Sequence, residues 1–160
     1  MKKICKALVF ILVVSLFTTG CGNKAISKSK VLNCKLDKDI AEGIKISSVY
    51  KIEYSGKYID RVTTVETVEA NSDAMLDAYK QQFDSMFSEY RNIKGYSNNV
   101  EKKDNKVISN TTIDYKTINI DDLVKIDSDF APYFENGKIR LDTMKEIYKQ
   151  IGAECDKWNY

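Results

Sequence analysis

The sequence predicts an α+β fold, an antiparallel sheet of about five strands with two helices packed on one face. Three observations carry that expectation. Residues 44–54 alternate with period two, the stretch after Asn71 carries apolar side chains three and four apart, and Ser55-Gly56 and Asp104-Asn105 set tight turns between strand-like runs. Tight turns join antiparallel neighbours. Helices with one apolar stripe bury it on the sheet.

The first predicted strand puts Ile44, Ile46, Ser48, Tyr50, Ile52 and Tyr54 on one face and Lys45, Ser47, Lys51 and Glu53 on the other, with only Val49 out of pattern. After Ser55-Gly56, residues 58–69 (YIDRVTTVETVE) are rich in Val and Thr and read as the return strand. A helix follows, capped by Asn71 or Ser72 and ending near Gly95. Its stripe runs through Met75, Tyr79, Phe83, Met86, Tyr90 and Ile93, widened by Leu76 and Phe87. Residues 96–103 are predicted as a strand. Val107, Ser109, Thr111, Ile113 and Tyr115 share a face of the next strand, which is expected to run to about Ile120. Residues 121–137 read as irregular with one short helical turn. A second helix, capped by Asp142, carries Met144, Ile147, Tyr148 and Ile151 and ends at Gly152; residues 155–158 form a last short strand. The predicted order is ββαββαβ. KYIDRVTTVE and KVISNTTID are alike, but too short to establish a duplicated unit.

The first 24 residues, MKKICKALVFILVVSLFTTGCGNK, have the composition of an export signal. Lys2, Lys3 and Lys6 form a positive head, residues 7–17 an uncharged and mostly apolar run, and Thr18, Thr19 and Gly20 bring small residues up to Cys21. The run is shorter than the ~20 apolar residues of a membrane-spanning helix. A cysteine in this place is what a bacterial lipoprotein signal requires, although Thr18 stands where that signal usually has Leu. The expectation is a signal peptide at 1–20 and an acylated Cys21 carrying diacylglycerol and palmitate-like chains. A flexible tether follows at 21–32, then a single α+β domain at 33–160. Two acyl chains suffice for stable anchoring.

Residues 1–20 hold three of the 25 basic side chains and none of the 23 acidic ones. Their removal leaves 22 against 23, a balance that predicts no nucleic-acid partner. The remaining 140 of 160 residues suit one domain with a real core. Abundant Lys, Ile and Asn suggest an AT-rich genome and the outer face of a cytoplasmic membrane.

Cys34 and Cys155 are the other thiols of the processed chain. In an exported protein such a pair favours a disulfide, with buried free thiols as the alternative. They lack paired C-x₂-C spacing, and the chain has no histidine, so a zinc site is not expected. The missing histidine also removes Ser-His-Asp and Cys-His mechanisms. No Gly-rich phosphate loop or dinucleotide fingerprint is present, and no cofactor is expected. Asp121, Asp122, Asp127 and Asp129 are the one candidate constellation, weak ligands for a hard cation or weak acids for a hydrolase; Asp127-Ser128-Asp129 lacks the Gly and terminal Glu of a calcium loop. Tyr58, Tyr96, Tyr133, Trp158 and Tyr160 are candidates for an aromatic recognition surface, with edge packing as the alternative.

The acylated cysteine, IEYSGKYIDRVTT, the helix segment AYKQQFDSMFSEYRNIKGYS and TIDYKTINIDDL together resemble the YehR-like small bacterial lipoproteins over residues 44–152. The resemblance implies one α+β domain on the outer face of a membrane. It brings no catalytic motif and no site residue, and the cysteine pair stands apart from it. The expected function is therefore a membrane-anchored, non-catalytic extracytoplasmic interaction or ligand-binding module. The alternative is a cation-dependent or carboxylate-based hydrolase using residues 121–129. A transporter's substrate receptor fits poorly, because such receptors close two lobes on their ligand.

Overall fold

A computed structural model describes residues 29–156. The signal peptide, Cys21, Trp158 and Tyr160 lie outside the described residues. The main sheet has six strands in the order β4-β5-β3-β2-β1-β8, each pairing antiparallel. They are β1 (Lys30–Ala41), β2 (Ile44–Ser55), β3 (Tyr58–Ala70), β4 (Tyr96–Lys103), β5 (Lys106–Asp114) and β8 (Glu154–Cys155). A separate hairpin pairs β6 (Phe134–Glu135) with β7 (Lys138–Ile139). The α-helices are α1 (Asp73–Phe87), α2 (Ile120–Ile126) and α3 (Leu141–Gln150).

The α+β class holds, and the order and element count change. β1 was not expected. It starts at Lys30, inside the segment predicted as tether, and pairs with β2 from Lys30 opposite Tyr54 to Ala41 opposite Ile44. Leu32 and Cys34 are buried and Leu36 is half-buried. The charges from Lys35 to Asp39 hide that alternation: β8 covers the outer edge of β1 only at Cys34 and Lys35, and charge blunts the rest of that edge. β5 ends at Asp114, short of Ile120. There Thr117 and Ile118 both donate their backbone N–H to the Asp114 carbonyl, and the Asp114 side chain accepts from the Lys116 N–H, closing a turn.

The apolar stripe of α1 is rotated from the predicted one. Leu76 and Phe83 are buried, with Tyr79 and Phe87 beside them, while Met75 and Met86 are 44% and 50% exposed. Ser72 occupies the N-cap position without a side-chain cap bond. Gly95 adopts φ +87°, and a Cβ there would lie 2.7 Å from the Ile118 backbone nitrogen, so the chain crosses itself where only glycine fits. The segment read as irregular holds α2, a 3-10 turn at Ser128–Tyr133 and the small hairpin. Asp142 does not cap α3: Arg140 holds that position, and Asp142, in the first turn, pairs with its guanidinium at 2.6 Å. The start of α3 is docked on the β2–β3 turn by Leu141 N–H donating to the Lys57 carbonyl.

One sheet face carries the core, in two clusters. Near the β2–β3 turn, Leu32, Ile52, Tyr54, Ile59 and Val62 pack with Tyr115, Leu123, Ile139, Met144 and Tyr148, from α2, α3 and the chain around them. Towards the β1–β2 turn, Ile44, Val68, Ala70, Val100 and Val107 pack under Leu76 and Phe83 of α1. Among the described residues no helix is long and apolar enough to cross a membrane.

Candidate functional site

Between the two clusters the covered face turns polar. The register aligns Leu36, Ser48, Glu66, Ser109 and Val100 in one row across the sheet, and Cys34, Tyr50, Thr64, Thr111 and Asn98 in the next. Apolar rows flank them: Ile46, Val68 and Val107 on one side, Leu32, Ile52, Val62 and Ile113 on the other. A belt of Ser, Thr, Asn and Glu thus crosses a face that is otherwise core. Side chains on this face alternate with those on the open face, so the belt follows directly from sequence position and register.

The two halves of the belt are finished differently. On β4 and β5, Asn98 donates from Nδ2 to Ser109 Oγ at 3.0 Å and to Thr111 Oγ1 at 2.9 Å. Arg91 Nη2 then donates to Asn98 Oδ1 and to Asp84 Oδ1, both at 2.8 Å. Lys80 adds a further bond to Asp84, and these two cations hold the Asp84 carboxyl below its ordinary range. That half is a closed network capped by a guanidinium.

The half on β2 and β3 has no such cap. Glu66 is half-buried, with buried Ser48 and Ser109 as its strand neighbours on either side. Among the described residues no hydrogen-bond or ion-pair partner reaches its carboxylate. Burial pushes the Glu66 carboxyl up. Tyr50 lies close enough to feel it: burial raises the Tyr50 phenol, a hydrogen bond with Ser48 draws it down, and the Glu66 charge raises it again. The Tyr50 ring packs against that of Tyr148 on α3, centroids 4.4 Å apart. α1 lies over β3, β4 and β5, whereas α3 reaches β2 through Tyr148 and β1 through Lys38 Nζ, which donates to the Ile151 carbonyl at 2.9 Å. Glu66 therefore sits between the two helices. Carboxylates are seldom buried without a partner, and a perturbed acid in such a place is a functional-site candidate.

The residues singled out in the sequence fall elsewhere. Cys34 and Cys155 oppose each other in the β1–β8 pair, with Cα atoms 3.9 Å apart and their sulfurs bonded. Asp121 and Asp122 lie in the first turn of α2, where Asn119 accepts from the Asp121 N–H and Asp122 pairs with Lys125. Asp127 caps the following 3-10 turn by accepting from the Asp129 N–H. These four aspartates shape helix ends and do not converge. Among the described residues no three acidic or thiol groups gather as metal ligands. Tyr96 is not a surface anchor: it is half-buried against Tyr90, its phenol pushed up to about 12 by burial, with Thr111 hydrogen-bonded to it. The Tyr58 ring has the ammonium groups of Lys57 and Lys138 at 5.1 and 5.2 Å from its centroid, and Tyr133 is exposed. Sequence reading placed Ser48 and Tyr50 on the buried face. It missed Glu66, whose signal was an acid between Val62 and Val68 on the same parity of the 58–69 alternation.

The described residues have an α+β architecture: a six-stranded antiparallel sheet with helices on one face, and a disulfide joining β1 to β8. The chain belongs to the family described as "Protein of unknown function (DUF1307)", which matches residues 36–154. The match begins after Cys34 and stops before Cys155. The fold is similar to that of the E. coli YehR protein, whose NMR structure superposes with a TM-score of 0.57 at 19% identity, covering 83% of this chain and 96% of that one. At that identity the likeness speaks for the fold alone. No curated protein matches the chain in sequence.

Proposed function

We propose that this chain is a lipid-anchored, extracytoplasmic binding module whose ligand site is the open half of the polar belt around Glu66. The carrying observation is the half-buried carboxylate, left without a partner between two helices while the other half of the belt is fully satisfied. A half-buried carboxylate that the surrounding hydrogen bonds leave out is where a ligand of opposite charge gains most. Binding is favoured over turnover because the chain has no histidine and, among the described residues, no belt hydroxyl is hydrogen-bonded to the Glu66 carboxylate as a nucleophile is to its base.

Anchoring is supported by the lysine head, apolar run and Cys21 of the leader. The bridge between Cys34 and Cys155 suits an oxidising compartment outside the cytoplasm. Cys21 precedes the first residue of β1, Lys30, by nine positions, so an anchored domain stays within about 30 Å of the bilayer. Intact-mass measurement of the protein from its own cells tests this half of the proposal. The expected species begins at Cys21 with diacylglycerol attached. A retained leader, or an unmodified Cys21, overturns it.

A further inference from the structure

We infer that the open half of the belt takes a small organic cation that donates hydrogen bonds, a primary ammonium or a guanidinium, with its charge on Glu66. The inference rests on the binding-module reading and adds the chemical class of the ligand.

Three features select that class. Glu66 is half-buried beside Ser48 and Ser109, which are 2% and 1% exposed, and its charge has no counter-ion among the described residues. A neutral or anionic occupant would complete the desolvation of that carboxylate with nothing in return. A hard metal ion needs several oxygens at once, and the floor offers one carboxylate. An ammonium or guanidinium needs one carboxylate, nearby acceptors and aromatic faces. Here these are Glu66, the half-buried Thr64 hydroxyl in the adjoining belt row, and the exposed side of the half-buried Tyr50 ring. The other half of the belt supplies an internal precedent. There the polar row is closed by a guanidinium from the chain itself, Arg91 on Asn98 and Asp84. Among the described residues, no such guanidinium reaches Glu66 in the other half.

Isothermal titration of the protein purified from cells, with n-butylamine and agmatine as probes and n-butanol and butyrate as controls, tests the inference. The two amines are expected to bind, the controls to bind at least tenfold more weakly, and Glu66→Gln to lower amine affinity at least tenfold. Arg61→Gln, on the opposite sheet face, should leave it unchanged. Circular dichroism and the melting temperature establish that Glu66→Gln is folded. Amine binding that survives Glu66→Gln, or butyrate binding as tightly as butylamine, overturns the assignment. Butanol binding equally to both forms sinks the cation while leaving a binding module. Silence from every probe sinks the cation too, and the module is then judged by partner capture after crosslinking in cells.

Discussion

The two faces of the sheet carry charge in different ways. On the open face, Lys51 meets Glu53 at 2.9 Å, Arg61 meets Asp114 at 3.0 Å and Lys106 meets Glu69 at 2.8 Å. A shallow depression of about 470 Å³ lies there, and its two cations and two carboxylates, Lys51, Arg61, Glu53 and Asp114, neutralise one another. On the covered face Glu66 is half out of water, with no partner among the described residues. Exposed pairs contribute about 0–1 kcal/mol each, so abundance of charge on the open face says little about function. A single unpaired charge under helices costs free energy, and its presence is the more telling fact.

The largest effect that sharpens this contrast comes from the bridge that ties β8 to β1. It closes a loop between residues 121 positions apart. Replacing both cysteines by alanine, or reducing the bond, is expected to cost about 4–5 kcal/mol in the chain-entropy account. Urea unfolding with and without reductant measures it. Equal midpoints would mean that the pair is not bonded in the native protein.

Next come paired truncations on the two faces. Phe83, on the inner face of α1, is packed against the sheet at 5% exposure, and Phe83→Ala is expected to cost about 3–5 kcal/mol. Val49 is 45% exposed on the open face, and Val49→Ala should stay within about 0.5 kcal/mol. Similar losses at both positions would show that the open face is covered by something in the intact protein. Gly95→Ala lies between them. Its positive φ and the approach of Ile118 predict a loss of about 1–3 kcal/mol by thermal unfolding, and an unchanged melting temperature would contradict the close crossing.

The legibility of these features in the sequence follows their physics. β2 and β3 were legible because each keeps its buried residues on one face, so Ile44, Ser48, Ile52 and Tyr54 share a parity in β2, as do Val62, Val68 and Ala70 in β3. β1 was not: its buried set is short, and Lys35, Asp37, Lys38 and Asp39 dominate the window. α2 was hidden by Asp121 and Asp122, which look like loop residues yet favour the first turn of a helix, next to the Asn119 cap. Within α1 the pattern gave the helix and not its rotation, since Met75 and Met86 fit a stripe as well as Leu76 and Phe87 do. The belt was half legible. Ser48 and Tyr50 sat visibly on the buried side of β2, but the neighbours of Glu66 come from cross-strand register with β5, which no local spacing encodes.

The smallest predicted effect is the most direct test of the contrast, because the two faces should respond to pH with opposite sign. On the open face, the Arg61 guanidinium holds Asp114 below its ordinary range, with burial opposing and the Lys116 backbone N–H assisting. A lowered folded-state pKa gives stability that is present above the unfolded value of 3.8 and is lost as pH falls through the folded one. On the covered face, burial raises Glu66 above its ordinary 4.5. The folded protein then binds more protons than the unfolded chain over the interval above 4.5, so stability declines as pH climbs through it and levels off beyond the folded value. Urea midpoints measured from pH 3 to 8 should therefore lose a descending limb in Glu66→Gln and an acid-side limb in Asp114→Asn. At neutral pH, Glu66→Gln should be slightly more stable than wild type, since the unpaired charge is gone. If Glu66→Gln instead leaves the curve above pH 4.5 unchanged, the carboxylate is as well solvated as the acids of the open face. The distinction between the two faces then fails at the residue on which the proposed ligand site is built.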